Sequence, residues 1–287
     1  MITIGSGALT AEISEAGAEL QTLRAASGAD YLWDGDPAFW KGRAPLLFPM
    51  VGKAVNDHIR VDGRSCQMPQ HGLARINRFE IIRSSPEACT LAFAASDATQ
   101  VHYPFLFRLE VTYRIKGSEL AVMAVVFNEG TTAMPASFGF HPAFRWPLPG
   151  TSRRECHEVI FEHAEPEPIR RLANGLLIPE GIPTPVAGRR LALNDDLFRH
   201  DALIWDRLAS RSVSYCGPGK TQIRIAFPGM PFLGIWSKPG AGFVCIEPWH
   251  GLASPADFDG EFSERPGVLT ISPQECRTFS MSISVAP

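Results

Sequence analysis

Residues 107–128 read FRLEVTYRIKGSELAVMAVVFN, and this stretch decides the fold class of the 287-residue chain. Apolar and polar side chains alternate over residues 109–116, as expected of an antiparallel strand with one buried and one solvent-facing side. The pair Gly117-Ser118 can turn the chain, and a second apolar run follows over residues 120–128. The pattern predicts a β-hairpin of two long strands.

Other short apolar runs repeat this pattern, and each is bounded by Gly, Pro, Asn or Ser. Clear examples are residues 90–94, 223–227 and 243–246. Helical signals are few, and the best predicts one short helix or turn over residues 193–197, opening at Asn194. The proline-rich residues 165–185 are interpreted as a long excursion between strands. We therefore expect a single all-β domain over residues 1–287, with large antiparallel sheets and few short helices.

Composition excludes several classes of protein. The chain is 45% hydrophobic and only 20% charged, which excludes a disordered or coiled-coil protein. Its net charge of −3 gives no electrostatic basis for binding nucleic acid or an anionic membrane, and no apolar run is long enough for a transmembrane helix. A secretory signal pattern is missing and the six cysteines are scattered, so we expect a cytoplasmic protein with reduced thiols and no metal site.

Two histidines have unusual neighbours. His71 lies in MPQHGLAR, where proline and glycine shape a turn, and His141 lies in SFGFHPAF, a polar ring within an aromatic run. A histidine enclosed by phenylalanines needs partners for its nitrogens, and burial lowers its pKa towards a useful acid/base range. Either histidine alone would be better explained as a hydrogen-bonded core residue.

Glu247 is the third candidate, in the segment FVCIEPWHG. A carboxyl group at the end of an apolar strand, next to Pro248 and Trp249, would be partly desolvated, and its raised pKa would suit a general acid or base. The same local pattern fits a glutamate on the solvent face of an edge strand. Tryptophan rings can also stack on the apolar face of a sugar, or simply lie in the core. The candidates for stacking are Trp33, Trp40, Trp146, Trp236 and Trp249.

Taken in order, these segments resemble the aldose 1-epimerase (mutarotase) family, in particular its compact bacterial branch. The likeness covers nearly the whole chain and rests on an ordered set of short motifs. The matching segments are GAEL (17–20), YLW (31–33), FW (39–40), APLLFPMVGK (44–53), QHGLAR (70–75), FGFHP (138–142), DALI (201–204), IEPW (246–249) and GVL (267–269), followed by Pro273 and Glu275.

The resemblance implies a galactose-mutarotase-like β-supersandwich with its site in a cleft on one face of the large sheet. It implies an acid at His141, a second site histidine at His71 and a base at Glu247, with Asp201 binding the sugar and Trp249 beside it. The expected activity is interconversion of the α and β anomers of a free hexose by acid/base ring opening. No cofactor is expected, the only partner is a small sugar, and the chain would be a monomer or homodimer.

The chain departs from the galactose mutarotases at one position. Those enzymes carry an arginine in an Asn-Arg-Ile stretch, whereas this sequence reads NDHI over residues 56–59. The role of that arginine would pass to Lys53 or Arg75, or be absent. Two alternatives stay open: a hexose-6-phosphate 1-epimerase that binds phosphate through Arg43 and Arg75, and a carbohydrate-binding protein without catalysis.

Overall fold

The structure, a computed structural model, describes residues 1–219 and 222–285. Its strands are β1 (Ile2–Gly5), β2 (Leu9–Ile13), β3 (Leu20–Ala25), β4 (Leu46–Leu47), β5 (His58–Val61), β6 (Arg64–Gln67), β7 (Glu80–Ser84), β8 (Ala88–Ala94), β9 (Phe107–Lys116), β10 (Glu119–Asn128), β11 (Met134–Ala136), β12 (Phe138–Phe140), β13 (Ala143–Arg145), β14 (Glu158–Phe161), β15 (Leu172–Ala173), β16 (Leu176–Leu177), β17 (Arg190–Ala192), β18 (Leu203–Trp205), β19 (Ser212–Cys216), β20 (Gln222–Ala226), β21 (Phe232–Trp236), β22 (Phe243–His250), β23 (Leu269–Ile271) and β24 (Cys276–Val285).

Helices are short in the described ranges, as predicted. They are a single α-helical turn, α1 (Asp97–Gln100), and the 3-10 turns Val55–Asp57, Ala74–Ile76, Arg154–Cys156, Asp195–Phe198 and Phe262–Glu264. The predicted short helix near Asn194 is one of these turns, and it begins where the Asn194 side chain accepts a hydrogen bond from the Leu197 amide. No helix within the described residues is long and apolar enough to cross a bilayer. The all-β prediction is confirmed.

The predicted hairpin lies within the larger sheet. Strands β9 and β10 pair antiparallel with Lys116 opposite Glu119, so that residues 117–118 form the turn. The side chains of β9 alternate between buried and more exposed positions along its length. In the described residues this sheet has nine strands in the order β17-β14-β19-β20-β24-β10-β9-β8-β7. The hairpin and β24 therefore form its middle.

A second, smaller sheet packs against the first and carries the candidate site. Its strand order is β18-β21-β22-β12-β4, and β13 also pairs with β22. The rings of Phe138 on β12 and Phe279 on β24 stack with centroids 4.9 Å apart, which joins the two layers. One buried apolar cluster fills the space between the layers and extends from Ile2 to Val285.

The remaining strands form small ladders around these two layers. Strands β1, β2 and β3 make a three-stranded sheet, and β5-β6, β11-β23 and β15-β16 are two-stranded. The ladder β15-β16 lies within the proline-rich excursion, where the Leu177 amide donates to the Ser254 carbonyl. This hydrogen bond holds the excursion beside the smaller sheet.

Candidate active site

Glu247 lies on β22, whose two faces have different surroundings. Val244 and Ile246 belong to the main core between the sheets, whereas Phe243 and Cys245 belong to a separate apolar cluster. Because successive side chains of a strand point to opposite faces, Glu247 lies on the same face as Phe243 and Cys245. The carboxyl group therefore faces away from the main core, although it is only 2% exposed.

His141 lies directly opposite Glu247, because β12 and β13, the strands before and after His141, pair with β22 in one continuous register. Strand β12 pairs residue 139 with residue 249, and β13 pairs residue 143 with residue 245. The same register places position 141 beside position 247. Nε2 of His141 is 3.1 Å from Oε2 of Glu247, close enough for a proton to pass between them.

Aromatic rings enclose the His141 imidazole. Trp40 stacks on it with centroids 5.0 Å apart, Trp236 meets it edge-on at 6.2 Å, and His71 meets it edge-on at 5.6 Å. Nδ1 of His141 and Oε2 of Glu247 are buried, and neither forms a well-aligned hydrogen bond with a described residue, the 3.1 Å contact included. Burial of both groups strengthens the electrostatic interaction between them.

His71 is fixed by two hydrogen bonds to one residue. Its amide donates to the Gly52 carbonyl at 2.8 Å, and its Nδ1 accepts from the Gly52 amide at 3.2 Å. Since Nδ1 accepts, the proton of the neutral ring is on Nε2, which lies 3.3 Å from the side-chain nitrogen of Gln70 at the cleft. The next residue, Gly72, is required by space as well as by its φ of 75°, because a Cβ there would lie 2.3 Å from the Phe48 carbonyl oxygen.

Burial favours the uncharged form of all three candidate groups. It raises the pKa of Glu247 well above the ordinary range, and the charge of Asp201 adds to this shift. It lowers the pKa of His141 to about 3, with Arg75 contributing. It also lowers the pKa of His71 well below its usual value, an effect increased by His141 and Arg75. Burial therefore favours a neutral carboxyl group at Glu247 and a neutral imidazole at His141.

The three residues open onto one cleft of about 370 Å³, a volume within the range of small-molecule sites. Its lining combines aromatic rings and aliphatic side chains with a few polar groups. The lining residues are Trp40, Pro45, Val51, Gly52, Gln70, His71, Arg75, His141, Leu172, Asp201, Ala202, Ile204, Trp236, Glu247, Trp249 and Ala253.

Trp249 lies against the sheet because the flanking strands present glycine beneath it. A Cβ at Gly139 on β12 would lie 2.7 Å from the indole, and one at Gly234 on β21 would lie 2.4 Å from it. The ring is thus held nearly flat as part of the cleft wall, and its Nε1 is buried without a partner in the described structure. An apolar ring face suits the C–H groups of a ligand.

Two predicted substrate-binding residues lie in this cleft. Arg75 is on the 3-10 turn that follows His71, and its side chain is exposed. Asp201 precedes β18, has a φ of 65°, and accepts a hydrogen bond from the Ala202 amide through Oδ1 at 2.8 Å. The cleft thus offers one cation and one acidic side chain to a ligand, in addition to the three central groups.

The structure does not bring the other two predicted cations into the cleft lining. Arg43 Nη1 donates to the Gln21 carbonyl at 2.8 Å, which directs its guanidinium towards β3. Lys53 Nζ lies 3.7 Å from Asp57 Oδ1. Asp57 lies in the stretch where the galactose mutarotases carry their arginine. In this chain it forms an ion pair with Lys53, and neither residue lines the cleft. The contact of Arg43 and Lys53 with substrate stays a prediction.

The five candidate tryptophans separate into two groups. Trp40, Trp236 and Trp249 line the cleft, whereas Trp33 and Trp146 are buried elsewhere in the structure. Local sequence could not separate them, since all five have apolar neighbours.

Several lining residues were not among the predicted site residues. Leu172 comes from the proline-rich excursion, which has no periodicity that would assign it a direction. Gln70 lies within the QHGLAR motif and contributes the amide next to His71. Ala202 and Ile204 follow Asp201 closely, and the DALI motif is the only hint of their place.

One group of side chains could hold a metal ion. The ligand atoms of His141, Cys245 and Glu247 lie within 4.8 Å of one another, and all three residues are buried. The set includes the nitrogen, sulfur and oxygen donors that zinc accepts. It includes both His141 and Glu247, so a metal there would occupy the two groups that face each other across the strands.

Two packed antiparallel sheets, with a buried acid/base pair under a tryptophan-lined cleft, place the protein in the galactose-mutarotase-like class of β folds. The chain belongs to the aldose 1-epimerase family, a family of carbohydrate epimerases, and the family description matches residues 1–266.

Similar proteins agree with this assignment. The chromosomal LacX protein of Lactococcus lactis is 30% identical over 291 residues, which cover 96% of both chains. A galactose mutarotase related enzyme from Lactobacillus acidophilus superimposes with a TM-score of 0.92 at 29% identity, covering 100% of this chain and 97% of its own. A galactose mutarotase-like protein from Lactobacillus casei gives a TM-score of 0.90 at 30% identity, with both chains fully covered.

Proposed function

We propose that this protein is an aldose 1-epimerase that interconverts the α and β anomers of a free hexose. The observation that carries the proposal is the contact of 3.1 Å between His141 Nε2 and Glu247 Oε2 in a cleft of monosaccharide size. Anomer interconversion requires one group to take a proton from the anomeric hydroxyl and another to give one to the ring oxygen. These two oxygens are bonded to the same carbon, so the acid and the base must be close together.

Ring opening starts from the neutral carboxyl group of Glu247 and the neutral imidazole of His141. Transfer of the Glu247 proton to His141 gives a carboxylate and an imidazolium, which are the forms needed for reaction. Glu247 then accepts the proton of the anomeric hydroxyl while His141 protonates the ring oxygen. The bond between C1 and the ring oxygen breaks as the C1 carbonyl forms. Glu247 is then again a neutral carboxyl group and His141 a neutral imidazole.

Ring closure repeats these steps in reverse after rotation about the C1–C2 bond. Rotation presents the other face of the C1 carbonyl to the former ring oxygen. His141 then removes the proton from that hydroxyl group and Glu247 returns one to the carbonyl oxygen. The sugar leaves as the other anomer, and no proton or electron is gained or lost overall.

The other cleft residues hold the sugar during this exchange. His71 donates through Nε2–H to the sugar near its ring oxygen, as the hydrogen bonding of its Nδ1 to Gly52 requires. Asp201 accepts from sugar hydroxyl groups, and Arg75 donates to them. Trp249 provides an apolar face for the C–H side of the ring.

A free sugar is favoured over a phosphorylated one by the placement of the arginines. A phosphate site built from Arg43 and Arg75 requires both guanidinium groups in the cleft, and only Arg75 lines it. We therefore expect faster anomerisation of glucose or galactose than of glucose 6-phosphate. A higher rate with glucose 6-phosphate would reverse this part of the proposal and reassign Arg75 to phosphate.

Polarimetry of freshly dissolved α-glucose and α-galactose tests the reaction itself. Replacement of Glu247 by Gln keeps the size of the side chain and removes the base, so the rate above the spontaneous background is expected to fall by about 10²–10⁴-fold. That loss corresponds to about 3–5 kcal/mol in the barrier.

Glu165→Gln is the matched control, since Glu165 is as buried as Glu247 but accepts hydrogen bonds from the Ala209 and Ser210 amides, outside the cleft. It should retain the wild-type rate per folded molecule. Equal rates for wild type and Glu247→Gln would remove Glu247 from the reaction. Saturable sugar binding by a wild-type protein that gives no rate above background would identify a binding protein instead.

A further inference from the structure

The peptide group between Val51 and Gly52 connects the cleft to a buried arginine. On its N–H side, the Gly52 amide donates to Nδ1 of His71 at 3.2 Å. On its C=O side, the Val51 carbonyl accepts from Nη2 of Arg265. Because this peptide bond is trans, its N–H and C=O point in opposite directions. His71 and Arg265 therefore hold the two ends of one peptide group.

Arg265 also joins the two segments that form this part of the cleft wall. Its side chain is only 2% exposed and follows the 3-10 turn Phe262–Glu264. The nitrogen that donates to Val51 donates to the Leu252 carbonyl as well. These two carbonyls belong to the segments after β4 and after β22, so one guanidinium holds both segments from behind the cleft.

The two segments are packed too closely for the peptide group to turn. The Ser254 amide donates to the Lys53 carbonyl at 2.9 Å. Gly52 has a φ of 72°, and a Cβ there would lie 2.6 Å from the Cα of Ala253. The direction of the Gly52 N–H is thus set by the main chain and by the group that holds the Val51 carbonyl.

The charge of Arg265 acts on the carbonyl oxygens that it contacts. No described carboxylate lies within 4.0 Å of its guanidinium. A cation at the oxygen of a peptide group polarises that group and makes its N–H a stronger donor. Burial, His141 and Arg75 lower the pKa of His71, and the charge of Arg265 adds to this effect. Both effects favour a neutral His71 ring whose Nδ1 accepts.

The opposite side of the His71 ring has no fixed partner. Nε2 lies 3.3 Å from the side-chain nitrogen of Gln70, which is an exposed residue. A half turn of the Gln70 amide exchanges its nitrogen for its oxygen, so this side chain can donate to Nε2 or accept from it. The Gly52 N–H can only donate. The side of the ring that faces Gly52 therefore determines which nitrogen carries the proton.

We propose that Arg265 is a positioning residue for His71. By holding the Val51 carbonyl it fixes the Gly52 N–H on Nδ1, and this keeps the proton of the His71 ring on Nε2, the nitrogen that the proposed reaction uses as a donor. Arg265 itself does not line the cleft. The inference rests on the proposed function for the contact of His71 with a sugar, whereas the effect of Arg265 on the His71 ring can be measured without any activity.

Nitrogen NMR of protein labelled with ¹⁵N in its histidine rings reads the tautomer directly. The His71 signals are those missing from the spectrum of His71→Gln. In the wild-type protein at neutral pH we expect a protonated Nε2 and an unprotonated, hydrogen-bonded Nδ1. Arg265→Met keeps a long side chain without charge or donors. In this variant the Nδ1 signal should move towards that of a free nitrogen, and part of the population should carry the proton on Nδ1.

Arg154→Met is the matched control for this measurement. The Arg154 guanidinium is half-buried against the Trp146 ring, and neither residue lines the cleft. Loss of this guanidinium removes buried contacts of an arginine without touching the Val51–Gly52 peptide group. Both His71 ring signals should therefore stay at their wild-type positions in Arg154→Met.

A double-mutant cycle separates positioning of His71 from general support of the cleft wall. Arg265→Met is expected to lower kcat/KM for anomerisation about three- to tenfold, as for one weakened hydrogen bond. In a His71→Ala background the same substitution should cause no further loss, because its effect passes through His71. Losses that multiply fully would show that Arg265 acts on the wall as a whole.

Three results would overturn the proposal. They are a wild-type His71 ring with its proton on Nδ1, His71 signals in folded Arg265→Met that match those of wild type, and losses of kcat/KM that multiply in the double variant. A wild-type protein without anomerisation would remove the proposed function, and the NMR comparison would still decide the effect of Arg265 on His71. Should Arg265→Met fail to fold, Arg265→Gln replaces it in both measurements, and unchanged His71 signals in that variant overturn the proposal equally.

Discussion

The raised pKa of the Glu247 carboxyl group makes the stability of the protein depend on pH. Burial raises its pKa well above that of an exposed glutamate. Between the ordinary pKa of the unfolded chain and the raised pKa of the folded one, the native state holds one more proton than the unfolded state. The stability associated with Glu247 is therefore complete below the ordinary pKa and is lost as the pH rises through the raised one.

Glu247→Gln should remove this pH dependence, because an amide does not ionise. We expect the variant to gain stability relative to wild type as the pH rises above the ordinary glutamate pKa, by up to about 1.4 kcal/mol for each pH unit below the raised pKa. Denaturant unfolding at a series of pH values measures the difference. A difference that does not change with pH would refute the assignment of the raised pKa of Glu247.

At the scale of single residues, the sequence indicated which side chains were candidates for the site but not where each of them lies in the fold. His71, His141, Glu247 and Arg75 have recognisable neighbours, and the structure places all four around one cleft. Arg265 was not among the predicted residues, yet it is only 2% exposed and its Nη2 donates to the carbonyls of Val51 and Leu252. A charged residue without a local pattern gives no indication of whether it will be exposed or buried.

At the scale of elements, β12, β21 and β22 act together to shape the cleft wall. Gly139 and Gly234 leave a shallow space across the sheet in which the Trp249 ring lies. The glycines therefore contribute to the site although neither has a side chain to offer a ligand.

Gly234→Ala should push the Trp249 ring into the cleft, since the new methyl group would lie 2.4 Å from the indole. We expect KM for the sugar to rise more than kcat falls, with a loss of about 1–3 kcal/mol in the free energy of unfolding. Steady-state polarimetry and denaturant unfolding check the two effects. Gly7→Ala is the control, because its methyl group would meet no atom within 4 Å, and an unchanged KM in Gly234→Ala would contradict the assigned role of the ring.

Elements with local periodicity could be predicted, and elements defined by distant pairing could not. The alternation in residues 109–116 and the turn at residues 117–118 were sufficient for the β9–β10 hairpin. The pairing of His141 with Glu247 depends on two short strands sharing one register along β22. The short ladder β15-β16 left no signal in its proline-rich segment.

At the scale of the whole molecule, the last strand joins two parts of the larger sheet. Strand β24 pairs with β10 on one side and β20 on the other. The part beyond β10 comes from residues 80–128, and the part beyond β20 comes from residues 158–226. The sheet is therefore complete only when the end of the chain is in place.

A chain that ends at Glu275 should fail to form the native sheet, because it lacks β24 and leaves the edges of β10 and β20 unpaired. We expect no cooperative thermal transition, rapid cleavage by a protease and no anomerisation. Calorimetry and limited proteolysis beside the full chain provide the measurement. A truncated protein with a cooperative transition would show that the two parts of the sheet are stable without the joining strand.

The excursion that carries β15 and β16 has a practical consequence for redesign. Leu172 contributes to the wall of the cleft, and the neighbouring Arg171 holds the Asp201 carbonyl at 2.7 Å, whereas His141 and Glu247 are fixed by paired strands. A directed-evolution library confined to residues 171–178 would therefore vary one side of the cleft while leaving the paired strands that hold His141 and Glu247 intact. The shape of this side of the cleft and the position of the two buried groups are encoded in separate, independently editable parts of this chain.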